Sequence, residues 1–378
     1  MPWRCRATDL AGDSDKPWTK DCKVQAEQQR IAGLDVLRGF AAVAVMLHHH
    51  GQYYDVLYPG RIPLSIDLGP GHFGVELFFI VSGFVILMTI ERKKAVREFA
   101  VSRLARLMPA FFTALVLATA IRLLWPVPVL DTPTLPQFLA NLTMAPSLLG
   151  QPDMDMPYWT LTYELIFYVG MGLLLALCLV RRIEWLGLAA VAVSALFILT
   201  VDPRQHYRTS ILLQVYYSNF FLIGICLYRI HVRQARWITW FALVCAVAVT
   251  ALGGGERSFD APGSVYLPLT IAFTALVWFA VSRHGRWIAW PPLVFLGRIS
   301  YPLYLVHVVL GFAIIRWSIA LGWSTLTGVI AAGVACLLVA TLMHYYIELP
   351  GGRWVRAAFA SRLPASTLPL GSHLPPSD

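Results

Sequence analysis

The feature that most constrains this chain is a series of long apolar segments with short polar stretches between them. Ten segments reach the roughly 20 residues that a helix needs to cross the hydrocarbon core of a bilayer. They lie near 31–50, 72–91, 108–126, 158–180, 183–201, 211–230, 237–254, 264–283, 293–317 and 325–347. Because lipid offers the backbone no hydrogen-bonding partners, such segments satisfy their own backbone groups as helices. The sequence predicts an all-α fold, a polytopic membrane protein with a bundle of about ten transmembrane helices.

The composition agrees with lipid as the main solvent. Only 13% of the 378 residues are charged, against about 25% in ordinary soluble domains, and 57% are hydrophobic. The six cysteines show neither a CxxC motif nor a Cys/His ligand spacing, so we expect no disulfide framework and no metal site. The net charge of +9 comes from scattered basic residues, without the basic, aromatic-rich patch that nucleic-acid binding favours.

The basic residues predict the topology instead. With ten spans and an inner N-terminus, 24 of the 30 Lys and Arg residues fall on the inner side, as the positive-inside rule requires. Both termini are therefore expected in the cytoplasm. Residues 1–30 are polar and lack the apolar core of a cleavable signal, so we expect a disordered extension. Residues 31–350 form the transmembrane domain, and 351–378 a short tail.

Two connecting segments have a distinct character. Residues 91–107, "ERKKAVREFAVSRLARL", are basic with apolar positions at helical spacing, which predicts a helix on the inner membrane surface. The loop over 125–157 has no Lys or Arg and contains an apolar piece too short to span. We expect that loop to form either a re-entrant segment or a lid on the outer face.

The first apolar segment, "LDVLRGFAAVAVMLHHH", carries charge where lipid is expected. Arg38 and His49 are eleven residues apart, close to three helical turns, so both face the same side of one helix. His48 and His50 are rotated by roughly 100° from that line. Adjacent histidines do not converge as an i, i+4 pair does, which argues against a metal site here.

Three more ionisable residues lie at membrane depth: Glu76 in the second segment, Glu164 in the fourth and His307 in the ninth. An isolated charge there costs several kcal/mol unless it faces a partner or a wet cavity. A polar chamber shared with His49 is one explanation. A set of inter-helix hydrogen bonds that orients the bundle is the other.

Six motifs in order resemble those of the acyltransferase-3 family of membrane acyltransferases. They are the Arg-x10-His segment just quoted, "GVELFFIVSGFVI", "SRLARLMPAF", "PYWTLTYELIFY", "SYPLYLVH" and "IELP", and the match spans about residues 34–350. The resemblance implies transfer of an acyl group, commonly acetyl from acetyl-CoA, to sugar hydroxyls of lipopolysaccharide, exopolysaccharide or peptidoglycan. It also implies a bacterial inner membrane, acetyl-CoA as co-substrate with no bound cofactor, and the type without a fused SGNH domain.

The resemblance further implies that Arg38 and His49 are an essential pair, with His49 catalytic, and that Arg103 and Arg106 hold the donor. At depth, His49 would act as a general base on the acceptor hydroxyl or as a nucleophile that forms an acyl-imidazole. Glu164 is a second candidate catalytic residue, since it or Glu76 could fix the tautomer of His49. The remaining candidates for lining the cavity or binding the acceptor are Glu76, Trp159, Tyr163, Ser300, Tyr301 and His307.

Two other classes of protein fit part of this pattern. A transporter or flippase for a polar glycan lipid would also need buried charges, although the sequence lacks evident repeat symmetry and paired broken helices. A non-catalytic assembly subunit would not need the polar cluster. Ser82 and Gly83 in the second segment favour close helix packing rather than catalysis, and Glu348 is expected to pair with cytoplasmic arginines.

Overall fold

The computed structural model describes residues 31–52, 67–93, 95–125, 130–201, 205–252 and 262–360, and these contain helices but no strand. The α-helices are α1 Ala32–Gln52, α2 Gly74–Lys93, α3 Val96–Leu124, α4 Leu135–Asn141, α5 Trp159–Ala176, α6 Ile183–Thr200, α7 Tyr207–Leu212, α8 Ser218–His231, α9 Trp237–Ala248, α10 Gly263–Val281, α11 Pro291–Ala320, α12 Thr325–Met343 and α13 Leu349–Ala360. A π-helical turn, His344–Glu348, joins α12 to α13. The predicted extension over 1–30 and the tail beyond 360 lie outside the described residues.

Within the residues that the structure describes, seven helical stretches are long and apolar enough to cross a membrane. They are Gly69–Lys93, Val96–Leu124, Met156–Ala176, Val180–Thr200, Gly263–Val281, Pro291–Ala320 and Thr325–Phe359. The prediction of an all-α polytopic membrane protein is therefore confirmed, although the helix count differs from ten. Helix α1 has 21 residues, but its charges and three histidines lower its hydropathy. Helix α8 has only 14 residues, and Trp237–Leu252 is also short.

The basic segment over 91–107 does not form a separate surface helix. Helix α3 begins at Val96 and runs for 29 residues, because apolar and helix-forming residues continue without a break other than Pro109. A proline inside a helix removes the hydrogen bond to the carbonyl four residues earlier, here that of Ala105. Most of the segment that was predicted to lie on the membrane surface is thus the first part of the helix that crosses the membrane.

The chain divides into two compact units. The first contains residues 31–45, 70–85 and 184–300. Within it, α2 and α8 approach backbone to backbone. A Cβ on Gly83 would lie 2.1 Å from the carbonyl oxygen of Phe221, and one on Gly224 would lie 2.0 Å from that of Ile80. Gly83 therefore packs helices, in agreement with the sequence analysis.

The second unit contains residues 46–69, 86–183 and 301–360. In this unit α3 packs against α5, the π-helical turn and α13. The end of α1, which carries the three histidines, and the part of α11 that carries His307 also belong to this unit. Most of the predicted site therefore falls within one compact body.

The glycine contact between α2 and α8 makes a direct prediction. Gly83→Ala should lower the thermal unfolding midpoint of the purified protein, because its methyl group cannot fit beside a backbone carbonyl and overpacking costs about 1–3 kcal/mol. Gly170→Ala is the matched control, since a Cβ there meets nothing within 4 Å. Equal midpoints for the two variants would show that the close approach is not tight.

Candidate active site

Two histidine side chains from distant parts of the sequence meet in the second unit. His307 Nε2 lies 3.2 Å from His49 Nδ1, within hydrogen-bond distance. The two rings are edge to face, with centroids 5.0 Å apart. His307 is fully buried, whereas His49 is partly exposed. The structure thus brings together two of the residues that the sequence predicted, one on α1 and one on α11.

The hydrogen bonds assign the tautomers of both rings. His307 Nδ1 lies 2.8 Å from the backbone carbonyl oxygen of Tyr304, and a carbonyl can only accept, so Nδ1 carries the proton. In the neutral ring His307 Nε2 is then an acceptor, and His49 Nδ1 must donate to it. His49 consequently carries its lone pair on Nε2. The observed partner of His49 Nδ1 is therefore the His307 ring.

His50 holds α11 at this position. Its Nε2 donates to the backbone carbonyl of His307 over 2.7 Å, and its ring is fully buried. Gly311, one turn further along α11, makes room for the imidazole, because a Cβ there would lie 2.0 Å from His50 Nε2. The spacing of residues within the first apolar segment predicts no role for His50. The available signal was a glycine one turn beyond His307, which has meaning only once α1 and α11 are known to touch.

The segment before α5 also contacts α11, on both sides of His307. The Tyr158 hydroxyl donates to the carbonyl of Leu305 over 3.1 Å. The fully buried Asp155 carboxylate accepts the N–H of Val309 over 3.3 Å. The loop that the sequence predicted as a lid or re-entrant segment therefore helps to fix the helix that carries His307.

That loop is itself held by buried polar side chains. The Arg122 guanidinium donates to the carbonyl of Met154 over 2.7 Å and to the carbonyl of Asp131. Asn141 accepts the N–H of Met154 over 2.8 Å and donates to the carbonyl of Pro152 over 3.0 Å. These bonds satisfy backbone groups that helices do not use, so the loop can pack against α11 as a defined structure.

A second cluster contains the two predicted donor-binding arginines. The guanidinium carbon of Arg103 lies 6.0 Å from the centroid of the Tyr168 ring. That of Arg106 lies 5.8 Å from the Tyr301 ring. The Tyr168 hydroxyl donates to the Glu164 carboxylate. Glu164 therefore belongs to a layer of arginine and tyrosine side chains, where cations face aromatic rings.

Arg106 is also part of an ion network at the π-helical turn. Its guanidinium contacts the carboxylate of Glu348, which is 3% exposed. The other oxygen of that carboxylate lies 2.7 Å from His344 Nδ1. Glu348 thus pairs with an arginine, as expected. One of the two arginines assigned to the donor already has a carboxylate partner within the chain.

The remaining candidates lie in several places. Trp159 and Tyr163 contact each other edge to face at 5.8 Å, and Tyr163 is fully buried. In the first unit, Ser300 donates to the carbonyl of Gly297 on its own helix over 2.8 Å. Arg38 lies in the same unit, partly exposed, and the unbroken α1 carries both Arg38 and His49 as the spacing predicted.

Glu76 lies in the first unit with a tyrosine partner. Its Oε1 accepts a hydrogen bond of 3.4 Å from the Tyr266 hydroxyl, and the side chain is 4% exposed. Its Oε2 has no hydrogen-bond partner within the described ranges. No three His, Cys, Asp or Glu side chains converge as metal ligands in the described part of the chain.

Comparison with known proteins identifies the family. Residues 31–345 match the family model described as an acyltransferase domain, so the chain belongs to this family of acyltransferases. It is 26% identical to acyltransferase MdmB of Streptomyces mycarofaciens, over 90% of this chain and 95% of that protein. It is 24% identical to nodulation protein 10 of Rhizobium leguminosarum bv. viciae, over 87% of this chain and 95% of that protein. Identity to the putative peptidoglycan O-acetyltransferase YrhL of Bacillus subtilis is 25%, over 85% of this chain and 54% of that protein. No solved structure matches the chain.

The buried Asp155 predicts a pH-dependent stability. It lies just before the span Met156–Ala176, and burial raises its pKa from 3.8 to about 7, despite hydrogen bonds from Val309 and Met156 and the nearby Arg122. A carboxyl whose pKa is raised on folding stabilises the protein below its ordinary pKa, and that contribution is lost as the pH rises through about 7. The unfolding midpoint should therefore fall between pH 5 and pH 8, and Asp155→Asn should reduce this fall.

Asp131→Asn is the control for that experiment, because its side chain is exposed in the same loop. It should leave the pH dependence of the unfolding midpoint as in the wild type. A fall of equal size in the wild type and in Asp155→Asn would assign the pH dependence to other groups.

Proposed function

We propose that this protein transfers an acyl group, most simply acetyl, from cytoplasmic acyl-CoA to a hydroxyl of a cell-surface or exported glycan. The observation that carries the proposal is the hydrogen-bond chain from Tyr304 through His307 to His49. It keeps the lone pair of the His49 imidazole on Nε2, and that ring is the partly exposed one of the pair. An imidazole in this state can accept a proton or attack a thioester.

The donor and acceptor classes are inferred from the family and its relatives. A relative named as a putative peptidoglycan O-acetyltransferase supports a glycan hydroxyl as acceptor and acetyl as the group transferred. Another, an exopolysaccharide production protein of Rhizobium meliloti, is 32% identical over 26% of this chain. Acetyl-CoA would serve as co-substrate, with no bound cofactor. The enzyme would then be an acetyl-CoA-dependent O-acetyltransferase.

The transfer can follow two routes that balance. In the direct route, His49 Nε2 takes the hydroxyl proton while the oxygen attacks the thioester carbonyl; the C–S bond breaks and the thiolate takes the proton from the imidazolium. In the two-step route, Nε2 attacks the thioester carbonyl, the C–S bond breaks and coenzyme A leaves as its thiolate. The hydroxyl then attacks the acyl-imidazolium, the bond between Nε2 and the acyl carbon breaks, and the hydroxyl proton neutralises the thiolate. In both routes His307 holds the tautomer that the first step requires.

The other candidate residues also have proposed roles. Arg38 and Arg103 would interact with the donor, and Arg106, which is paired with Glu348, would position the π-helical turn against α3. Glu164 would hold Tyr168 against Arg103. The side chains proposed for the cavity or the acceptor are Glu76, Trp159, Tyr163, Ser300, Tyr301 and His307. Tyr301 is anchored by a hydrogen bond of 3.2 Å to the carbonyl of Leu107, next to Arg106.

The proposed location is the bacterial inner membrane with both termini in the cytoplasm. The support is the bias of 24 of the 30 Lys and Arg residues toward one side of the predicted topology. In this orientation the N-terminal end of α3, and the end of the stretch Thr325–Phe359 that carries α13, lie toward the cytoplasm, where acyl-CoA is made. The histidines of α1 lie near its C-terminal end, which is the outer end in this orientation and the side where an exported acceptor would arrive.

Replacement of the two histidines tests this function. His49→Ala should reduce acetyl transfer from labelled acetyl-CoA by about 10²–10⁴-fold, the usual contribution of a general base. His307→Ala should lower kcat with little change in KM, because the His49 ring loses its fixed tautomer. His307→Gln should restore part of kcat, since its amide oxygen can accept the His49 Nδ1 proton.

His206→Ala is the matched control, a histidine with an exposed side chain in the first unit. Full activity of His49→Ala would reject the proposed mechanism. Intact acetyl-CoA together with transport of a glycan lipid would support a transporter instead.

A further inference from the structure

Helix α13 packs antiparallel against the first half of α3. A Cβ on Gly352 would lie 2.7 Å from the carbonyl oxygen of Ala105, and one on Gly351 would lie 2.6 Å from the Pro109 side chain. The Ala105 carbonyl is the one that lacks a helical donor because of Pro109. The two glycines therefore let α13 fit where α3 is interrupted.

Five arginines lie on the first half of α3 and on α13: Arg97, Arg103, Arg106, Arg353 and Arg356. Arg106 contacts Glu348, and in the described part of the chain no carboxylate pairs with the other four. Arg97 instead donates to the carbonyl of Phe359 at the far end of α13. The carboxylates of the same stretch are Glu348, which is buried, and Glu98, which is exposed.

Arg356 lies beside the contact between the helices. Its Nη1 is 3.7 Å from the position that a Cβ on Gly352 would occupy. The guanidinium therefore lies over the glycine that packs on Ala105. Arg353 is three residues earlier, and residues at this spacing are neighbours on a helix surface. Two like charges at this spacing destabilise a helix slightly unless an anion compensates them.

The ion pair of Arg106 changes which cations are available to a ligand. Glu348 neutralises Arg106 within the chain, so this residue brings no unmatched charge to a phosphate. Arg103 remains on α3, with its guanidinium over Tyr168. On α13, the exposed Arg353 and Arg356 supply the further guanidinium groups, and guanidinium binds phosphate oxygens in a bidentate geometry.

The arginines of α3 and α13 are connected to the pair His49 and His307 through α11. Arg106 lies against the Tyr301 ring, and Tyr301 precedes His307 by six residues, which is about 9 Å of helical rise. The extended pantetheine arm of coenzyme A covers such a distance. A nucleotide held at α3 and α13 can therefore direct its thioester toward His49.

We propose that Arg353 and Arg356 of α13, together with Arg103 of α3, bind the phosphate groups of the nucleotide thioester donor. The inference rests on the proposed function for the identity of the donor. It adds a helix outside the family match, which ends at residue 345. It also makes Arg106 a positioning residue that fastens the π-helical turn to α3.

The experiment measures binding of 3′,5′-ADP, the phosphate-bearing end of coenzyme A, to the full-length protein in neutral detergent. Arg353→Ala and Arg356→Ala should each raise Kd about ten- to a hundredfold, the effect of losing a hydrogen bond between charged groups. With acetyl-CoA the same variants should raise KM. With S-acetyl-pantetheine, which lacks the nucleotide and its phosphates, they should leave KM unchanged.

Trp354→Ala is the control on the same helix, because this side chain is 72% exposed and uncharged. It should leave Kd unchanged. An unchanged Kd for both arginine variants overturns the proposal, as does an equal loss with both donors. Loss of bound phosphatidylglycerol alone, with 3′,5′-ADP binding intact, would also overturn it and assign the arginines to lipid headgroups. Whether acetyl transfer occurs at all is decided separately by His49→Ala.

Discussion

The arrangement of the site depends on one local hydrogen bond, from His307 Nδ1 to the carbonyl of Tyr304 on the same helix. Because a carbonyl cannot donate, this bond determines where the proton of His307 lies, and through the 3.2 Å contact it also determines the proton position of His49. The buried His307 ring and the partly exposed His49 ring thus have defined donors and acceptors. Such an imidazole is ready for proton transfer without first changing tautomer.

That chain of bonds functions only if α11 stays in place, and α11 is held from several directions. His50 on α1 donates to the carbonyl of His307. Tyr158 and Asp155, in the segment before α5, contact α11 at positions before and after His307. Buried polar groups are costly when unpaired and rigidify a structure when paired. Polar side chains that are unusual in an apolar segment therefore give α11 and its neighbours a defined geometry.

Packing also gives a defined geometry to Arg103 and Arg106 in the N-terminal half of α3. Pro109 removes a donor from the Ala105 carbonyl, Gly351 and Gly352 bring α13 to that position, and Glu348 pairs with Arg106. The two neighbouring arginines of α3, Arg103 and Arg106, therefore lie in different environments. Arg106 is matched by a carboxylate, while Arg103 faces an aromatic ring.

The sequence by itself determined the helical class, the placement of Arg38 and His49 on one helix, and the packing role of Gly83, because each depends on hydropathy or on spacing within one helix. The tertiary structure alone decided that His307 contacts His49, 258 residues away in the sequence. It also decided that Gly311 makes room for His50 and that Glu348 forms an ion pair with Arg106. It also merged the predicted surface helix into α3. Periodicity shows which face of a helix a residue occupies, but partners on other helices depend on how the helices pack, and no spacing within one segment encodes that packing.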